Sequence, residues 1–177
     1  MSDPTIEIDK PFLFEVAWEV ARQIGGIYTV LRSKAPSTVE EWGDRYCLIG
    51  PYSAVSAATE FEPLPPGEIM ESALAVLRRK GVEAHFGRWL VPGNPRVLLF
   101  DLGSCYHKMH DWKYDLWENF GVGTPADDPE ANDAVVFGYQ VAWFRIFTDW
   151  FGSSSLTFIL VICCFVGGLG AGAVSSQ

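Results

Sequence analysis

Short apolar runs bounded by turn residues recur along the first 149 residues of the chain. Runs of this kind, rich in aromatic and β-branched residues, are typical of buried strands. The pattern predicts four of them, at Phe12–Trp18, Arg45–Gly50, Val82–Leu90 and Arg96–Asp101. The last two are separated by the turn sequence Pro92–Pro95, where Pro and Gly interrupt the apolar pattern.

Between these runs the apolar positions recur every three to four residues, which is the spacing of one helix face. The pattern predicts helices over Ile27–Lys34, Glu68–Lys80, Lys108–Phe120 and Pro129–Phe147. In the first of them Ile27, Val30 and Leu31 share a face. Pro36 is expected to end or kink that helix, because proline lacks an amide hydrogen and clashes with the preceding turn. A separate short helix is then expected to follow from Ser37.

The order of these elements indicates the fold class. Strands that alternate with helices are typical of a parallel sheet with helices packed on its faces. The sequence therefore predicts an α/β fold with a parallel-sheet core and flanking helices. A length of 177 residues fits one such domain with a sizeable core.

The charge and the cysteines limit the partners and the compartment. Lys and Arg number 13 against 22 Asp and Glu, which gives a formal net charge of −9. Nucleic-acid binding depends on basic patches that neutralise phosphates, so no nucleic-acid partner is expected.

The four cysteines, Cys47, Cys105, Cys163 and Cys164, do not make a disulfide framework. A reducing compartment, the cytoplasm, is the expected location.

The charges end abruptly, since every Lys, Arg, Asp and Glu lies at or before Asp149. This divides the chain into residues 1–149, expected to hold the α/β domain, and an uncharged apolar tail over residues 150–177. Leu156–Val174 is long enough for a membrane helix, but its strongly apolar part, Phe158–Val166, spans only about 14 Å as a helix against a hydrocarbon core of about 30 Å. Membrane insertion is therefore not expected, whereas an uncharged, β-prone run of this kind is expected to promote aggregation.

The glycine pair Gly25–Gly26 is the strongest candidate for chemistry, because it lies between a buried strand and a helix. The N-terminus of a helix offers unpaired N–H groups and a positive dipole end, which suit a phosphate group. Glycines there also serve a purely structural purpose when the turn needs unusual dihedrals. Both interpretations stay open, and under either one a β-branched residue at Gly26 is expected to strain the turn.

A second group of polar side chains could suggest a metal site. Cys105, His107 and His110 lie close in sequence, with Asp101 and Asp111 beside them. Zinc takes Cys and His ligands in tetrahedral sets, but the spacing matches no zinc-finger pattern. These residues are expected to form a solvated loop and a helix start, and no metal is expected. Nor does the chain show a nucleophile motif or a carboxylate pair that assigns a catalytic residue.

Four segments in order resemble the N-terminal part of eukaryotic glycogen (starch) synthases. They are FEVAWEVARQIGGIYTVLRSKA (Phe14–Ala35), EEWGDRYCLIGPY (Glu40–Tyr52), HFGRWLVPGNPRVLLFDLG (His85–Gly103) and DPEANDAVVFGYQVAWF (Asp128–Phe144). The resemblance implies a partial Rossmann-like N-terminal domain of a GT-B glycosyltransferase. It implies a retaining transfer of glucose from UDP-glucose to the non-reducing end of an α-1,4-glucan, as in glycogen biosynthesis.

The resemblance also suggests the donor-binding residues. A K-x-G-G motif of the family meets the nucleotide sugar, and Gln23, Gly25 and Gly26 stand at the matching positions. They are the expected UDP-glucose-binding residues, with UDP-glucose as donor substrate and no further cofactor. Gln23 replaces the basic residue of the motif, and a neutral amide loses the charge interaction with phosphate. Arg22 is the neighbouring alternative.

The family's further motifs, with the groups that carry glucosyl transfer, do not follow Arg145, where the resemblance is expected to end. The sheet is then expected to have an open edge. The resemblance implies the family's glycosyltransferase reaction, but this chain alone is expected to be an inactive fragment. The resemblance implies glycogen as a partner and glycogenin as a candidate partner. Two alternatives to an enzyme fragment are a non-catalytic module that binds glycogenin or the full-length synthase, and a membrane-anchored derivative.

Overall fold

A computed structural model of the chain describes residues 12–150 and 157–159. The strands are β1 (Leu13–Val16), β2 (Tyr46–Pro51), β3 (Phe61–Pro63), β4 (Glu83–Trp89), β5 (Arg96–Asp101) and β6 (Thr157–Ile159). The helices are α1 (Gly26–Trp42), α2 (Ala54–Glu60), α3 (Glu68–Arg79), α4 (Met109–Phe120) and α5 (Pro129–Trp150). The predicted α/β class is confirmed, and each predicted strand and most predicted helices lie within a few residues of their expected bounds.

One six-stranded sheet, in the order β3-β4-β5-β2-β1-β6, organises these elements. Strands β6, β1, β2 and β5 run parallel, as predicted for the core of the sheet. Strands β3 and β4 add an antiparallel edge. The reversal at β4 has a local cause, because the short turn Pro92–Pro95 is too short for the crossover that parallel neighbours require.

The sheet is covered by helices on both faces because its side chains alternate between them. On β2, Tyr46 and Leu48 belong to the cluster that includes Leu31 of α1. Cys47 and Ile49 belong to the other cluster, which α3, α4 and α5 help to build. The result is a three-layer arrangement in which α1 packs on one face of the sheet and α3, α4 and α5 pack on the other.

The structure contradicts the prediction that Pro36 ends or kinks the first helix, because α1 continues through it to Trp42. Tertiary packing offsets the missing hydrogen bond. A Cβ added at Gly93, in the β4–β5 turn, would lie 2.9 Å from the Cα of Pro36, so the turn rests directly on the helix at this point. The predicted apolar face is also wrong in part. Val30 is 58% exposed, and the buried face consists of Tyr28, Leu31 and Ala35.

Two elements, α2 and β3, have no counterpart in the predicted pattern. The predicted open edge lies one strand further out than expected, because β6 pairs with β1 in parallel through Leu13–Thr157, Phe14–Phe158 and Glu15–Ile159 and is the outermost strand of the described sheet. The remainder of the tail, with the segments predicted to be sticky or long enough for a membrane, lies outside the described residues. Among the helices that the structure describes, none has the length and apolar character needed to cross a membrane.

A polar cluster joins β1, β2 and α1 on one face of the sheet. Glu15 is 6% exposed, and it accepts hydrogen bonds from Lys34 Nζ and from the Tyr46 hydroxyl, the latter at 2.6 Å. Burial is the main cause that raises the pKa of Tyr46, and the hydrogen bond to Glu15 raises it further. Burial also raises the pKa of the Cys47 thiol to about 12, so the thiol is neutral at physiological pH. The cluster fixes α1 against β1, which is the strand that leads into the glycine turn.

Candidate functional site

The chain between β1 and α1 forms a tight, packed turn at the carboxyl end of the parallel strands. The amide of Ala17 donates to the carbonyl of Ile49 at 2.9 Å, which continues the contact with β2. Val20 is fully buried, and a Cβ added at Gly50 would lie 2.5 Å from the Cβ of Val20. Ala21 has φ = 52°, so the left-handed residue of this turn is an alanine and not a glycine. The turn is therefore held by packing against β2.

The predicted site residues follow this turn and are exposed. Gln23, Gly25 and Gly26 lie in the open, and Ile24 beside them is 52% exposed. Gly25 precedes α1 with φ = −145° and ψ = −147°, so its φ lies outside the left-handed region. A Cβ at Gly26 would meet no atom within 4 Å. Neither glycine is needed for a left-handed dihedral, and the expectation that a side chain at Gly26 strains the turn is wrong.

Glu19 caps α1 from within the preceding turn. Its Oε2 atom accepts hydrogen bonds from the amides of Gly25 and Tyr28, each at 2.9 Å, and the residue is 4% exposed. A Cβ at Gly25 would lie 3.0 Å from Glu19 Oε1, so the carboxylate fills the space beside this glycine. Sequence reasoning missed this residue. The available signal was an acidic side chain within reach of a helix N-terminus, a placement that the helix dipole favours.

Two amides of the first helical turn remain available. Within the part of the chain that the structure describes, the N–H groups of Gly26 and Ile27 have no hydrogen-bond partner. The first N–H groups of an α-helix lack partners inside the helix, so a cap, water or a ligand must satisfy them. The turn therefore offers two adjacent donors in an open position.

Arg22, the neighbouring alternative to Gln23, is directed toward α5. Its guanidinium carbon lies 5.9 Å from the centre of the Trp18 ring, and Trp18 in turn packs edge-on against Phe137. Burial raises the pKa of Asp133, and the positive charge of Arg22 opposes that shift. The Arg22 side chain therefore lies near Trp18 and Asp133, on the side of the turn that faces α5.

A second carboxylate fixes the same helix from the side. Glu60, at the end of α2, accepts hydrogen bonds from the Tyr28 hydroxyl at 3.0 Å and from Trp89 Nε1 at 2.9 Å. The Tyr28 and Trp89 rings pack edge to face with centres 5.3 Å apart. Tyr28 is thus held at its amide by Glu19 and at its hydroxyl by Glu60, which sets the position of the first turn of α1.

The histidine and cysteine group lies elsewhere, after β5. Cys105 is fully buried, and its sulfur lies 3.6 Å from the carbonyl oxygen of Gly81, whereas His107 and His110 are exposed. Among the described residues, no group of three or more His, Cys, Asp or Glu side chains is placed to hold a metal ion. This segment forms a 3₁₀ turn that leads into α4.

Comparison with known proteins identifies relatives of this chain. Residues 15–166 match the family model described as glycogen synthase. The chain is 50% identical over 139 residues to a glycogen [starch] synthase of Neurospora crassa, covering 78% of this chain and 20% of that protein. It is 46% identical over 140 residues to the liver glycogen [starch] synthase of Rattus norvegicus, with the same coverage. It is 52% identical over 131 residues to a glycogen [starch] synthase of Dictyostelium discoideum, covering 73% of this chain and 15% of that protein.

The extent of these matches corrects one boundary and limits what the chain can supply. The family match continues to residue 166, so the resemblance does not end at Arg145 as the motifs predict. The charge pattern still changes at Asp149, inside the matched region. The chain spans a fifth or less of the length of these relatives.

Proposed function

Because this chain belongs to the glycogen synthase family, we propose that it forms part of the N-terminal domain of a retaining glycosyltransferase and contributes the Gln23–Gly26 turn to the nucleotide-sugar site. The proposed reaction moves glucose from UDP-glucose to the non-reducing end of an α-1,4-glucan. The observation that supports this most is the exposed turn Gln23–Gly26, with two amides at the start of α1 that lack partners among the described residues. In α/β folds, ligands bind at the carboxyl ends of the parallel strands, which is where this turn lies.

The chemistry of the turn suits a diphosphate. Backbone N–H groups at a helix N-terminus donate to phosphate oxygens, and the helix dipole favours their negative charge. The Gln23 side chain is exposed and can add a neutral hydrogen bond. No described residue is assigned a role in the transfer step itself. Transfer needs groups positioned together around one sugar, and the matching part of the relatives is a small share of their length.

A second candidate function is a non-catalytic module that binds glycogenin or the full-length synthase. The observation that favours it is a set of exposed aromatic side chains along α4, where Tyr114, Trp117 and Phe120 are 63%, 61% and 73% exposed. Exposed apolar side chains that form a large patch mark protein interaction sites. The proposed glucosyl transfer takes glycogen as acceptor and glycogenin as partner. A cytoplasmic location is also proposed, because the free thiols of Cys47 and Cys105 fit a reducing compartment.

Gln23→Lys is expected to tighten the binding of UDP-glucose. A charge-assisted hydrogen bond to phosphate is about twice as strong as a neutral one, and a gain of about 1 kcal/mol corresponds to a Kd lowered about fivefold. Isothermal titration of the full chain, kept soluble by an N-terminal carrier domain, measures this change.

The control is Ser33→Lys, which adds the same charge at an exposed position two turns further along α1. It is expected to leave the Kd nearly unchanged. Equal effects of the two lysines, or no effect of Gln23→Lys, would show that Gln23 does not face the phosphates.

A further inference from the structure

We propose that Glu19 is a positioning residue of the donor site. By holding the amides of Gly25 and Tyr28, it leaves the amides of Gly26 and Ile27 as the pair that meets the diphosphate of a nucleotide sugar. The inference rests on the proposed function, because it takes the turn before α1 as the place where the donor binds.

The Glu19 carboxylate already occupies one side of the helix N-terminus. A single oxygen, Oε2, lies 2.9 Å from both the Gly25 and the Tyr28 nitrogen, and the residue is almost completely buried. An N–H group donates one good hydrogen bond, so these two are not free for a ligand. A phosphate placed beside the carboxylate would also meet its negative charge. The diphosphate is therefore directed away from Gly25 and Tyr28.

The opposite side of the same turn is open. The amides of Gly26 and Ile27 lack partners within the described residues, and no atom lies within 4 Å of the point where a Gly26 Cβ would be. The two glycines therefore have different purposes. Gly25 leaves room for the Glu19 carboxylate, whose Oε1 is 3.0 Å from the Cβ position, and Gly26 leaves room for a ligand from solvent.

The rest of the structure keeps this division in place. The Tyr28 hydroxyl is bonded to Glu60, so the helix cannot turn to offer the Tyr28 amide without breaking that contact too. Glu60 touches Tyr28 but none of the four amides, which makes it a matched control for Glu19. Both are carboxylates that hold the same residue, and only one of them decides which amides are free.

The test is a titration of the ¹⁵N-labelled full chain, on its carrier domain, with UDP-glucose, followed through the amide signals. In the wild type, the Gly26 and Ile27 amides are expected to shift, and the Gly25 and Tyr28 amides are expected to stay in place. In Glu19→Ala, the Gly25 and Tyr28 amides are expected to shift by at least as much as that of Gly26. In Glu60→Gln, the wild-type pattern is expected, even if the protein is less stable.

Glu19→Gln covers the case in which Glu19→Ala does not fold. Its side-chain carbonyl oxygen still accepts from the two amides, so the wild-type pattern is expected. Shifts of Gly25 or Tyr28 in the wild type or in Glu19→Gln, or an unchanged pattern in Glu19→Ala, would overturn the role of Glu19. If no amide of Gln23–Ile27 responds in the wild type, the proposed function itself fails, and the role of Glu19 with it.

Discussion

Replacing Gly50 with valine is expected to lower the free energy of unfolding by about 3 kcal/mol, because the space beside Gly50 is already filled. A Cβ there would lie 2.5 Å from the Cβ of Val20 and 3.2 Å from the carbonyl oxygen of Ala17. These atoms belong to the backbone or to a stiff side chain, so they cannot swing aside. Relief requires the β1–α1 turn to move off β2, and Glu19 moves with it. For a chain of this length the melting temperature should fall by about 10 °C.

Gly138→Ala in α5 is the matched control. A Cβ at Gly138 would meet no atom within 4 Å, and alanine favours a helix interior over glycine by about 1 kcal/mol. This variant is expected to melt at a slightly higher temperature than the wild type. Thermal unfolding followed by circular dichroism measures both. A Gly50→Val protein as stable as Gly138→Ala would contradict the close contact between β2 and the turn.

Trp89→Ala is expected to cost about 3–5 kcal/mol, the usual range for removing a large buried aromatic side chain. Trp89 is 0% exposed, and its ring packs against Tyr28. The substitution leaves a cavity between the sheet and α1. It also takes one donor from Glu60, whose remaining bond is to Tyr28. Denaturant unfolding, analysed by linear extrapolation, measures the loss.

Trp89→Phe separates the two contributions. Phenylalanine keeps most of the packing against Tyr28 but has no N–H to donate to Glu60. The expected cost is about 1–3 kcal/mol, set by the lost hydrogen bond to a charged group and the smaller ring. A Trp89→Ala variant that costs no more than Trp89→Phe would contradict the placement of this ring in the core.

The elements that sequence could predict are those whose pattern is local. The strand Arg96–Asp101 and the helix from Glu68 have apolar periods that fit their structure, and both are observed. The prediction that Pro36 ends or kinks α1 is wrong because a contact from Gly93, distant in sequence, supports the helix around Pro36. The edge strand β6 was missed because an uncharged apolar run gives the same pattern whether it pairs as a strand or not.

The candidate site was predictable to a similar extent. A glycine pair between a strand and a helix is visible in sequence, and the resemblance assigned Gln23 to the motif. The role of Glu19 depends on how the turn folds back, which in turn depends on the left-handed conformation of Ala21 and on the packing of Val20. The conformation of Ala21 has no sequence signal, because alanine seldom adopts a positive φ. The packing of Val20 has none either, because its partner Gly50 is distant in sequence.

The most direct test of the donor site is hydrogen exchange of the full chain with and without saturating UDP-glucose, read by mass spectrometry of peptides. The proposed function predicts slower exchange in peptides that cover Arg22–Tyr28. Uridine at the same concentration, which lacks the phosphates, should leave those peptides unchanged. Protection confined to other segments, or equal protection by uridine, would contradict the assignment of the α1 turn as the place where UDP-glucose binds.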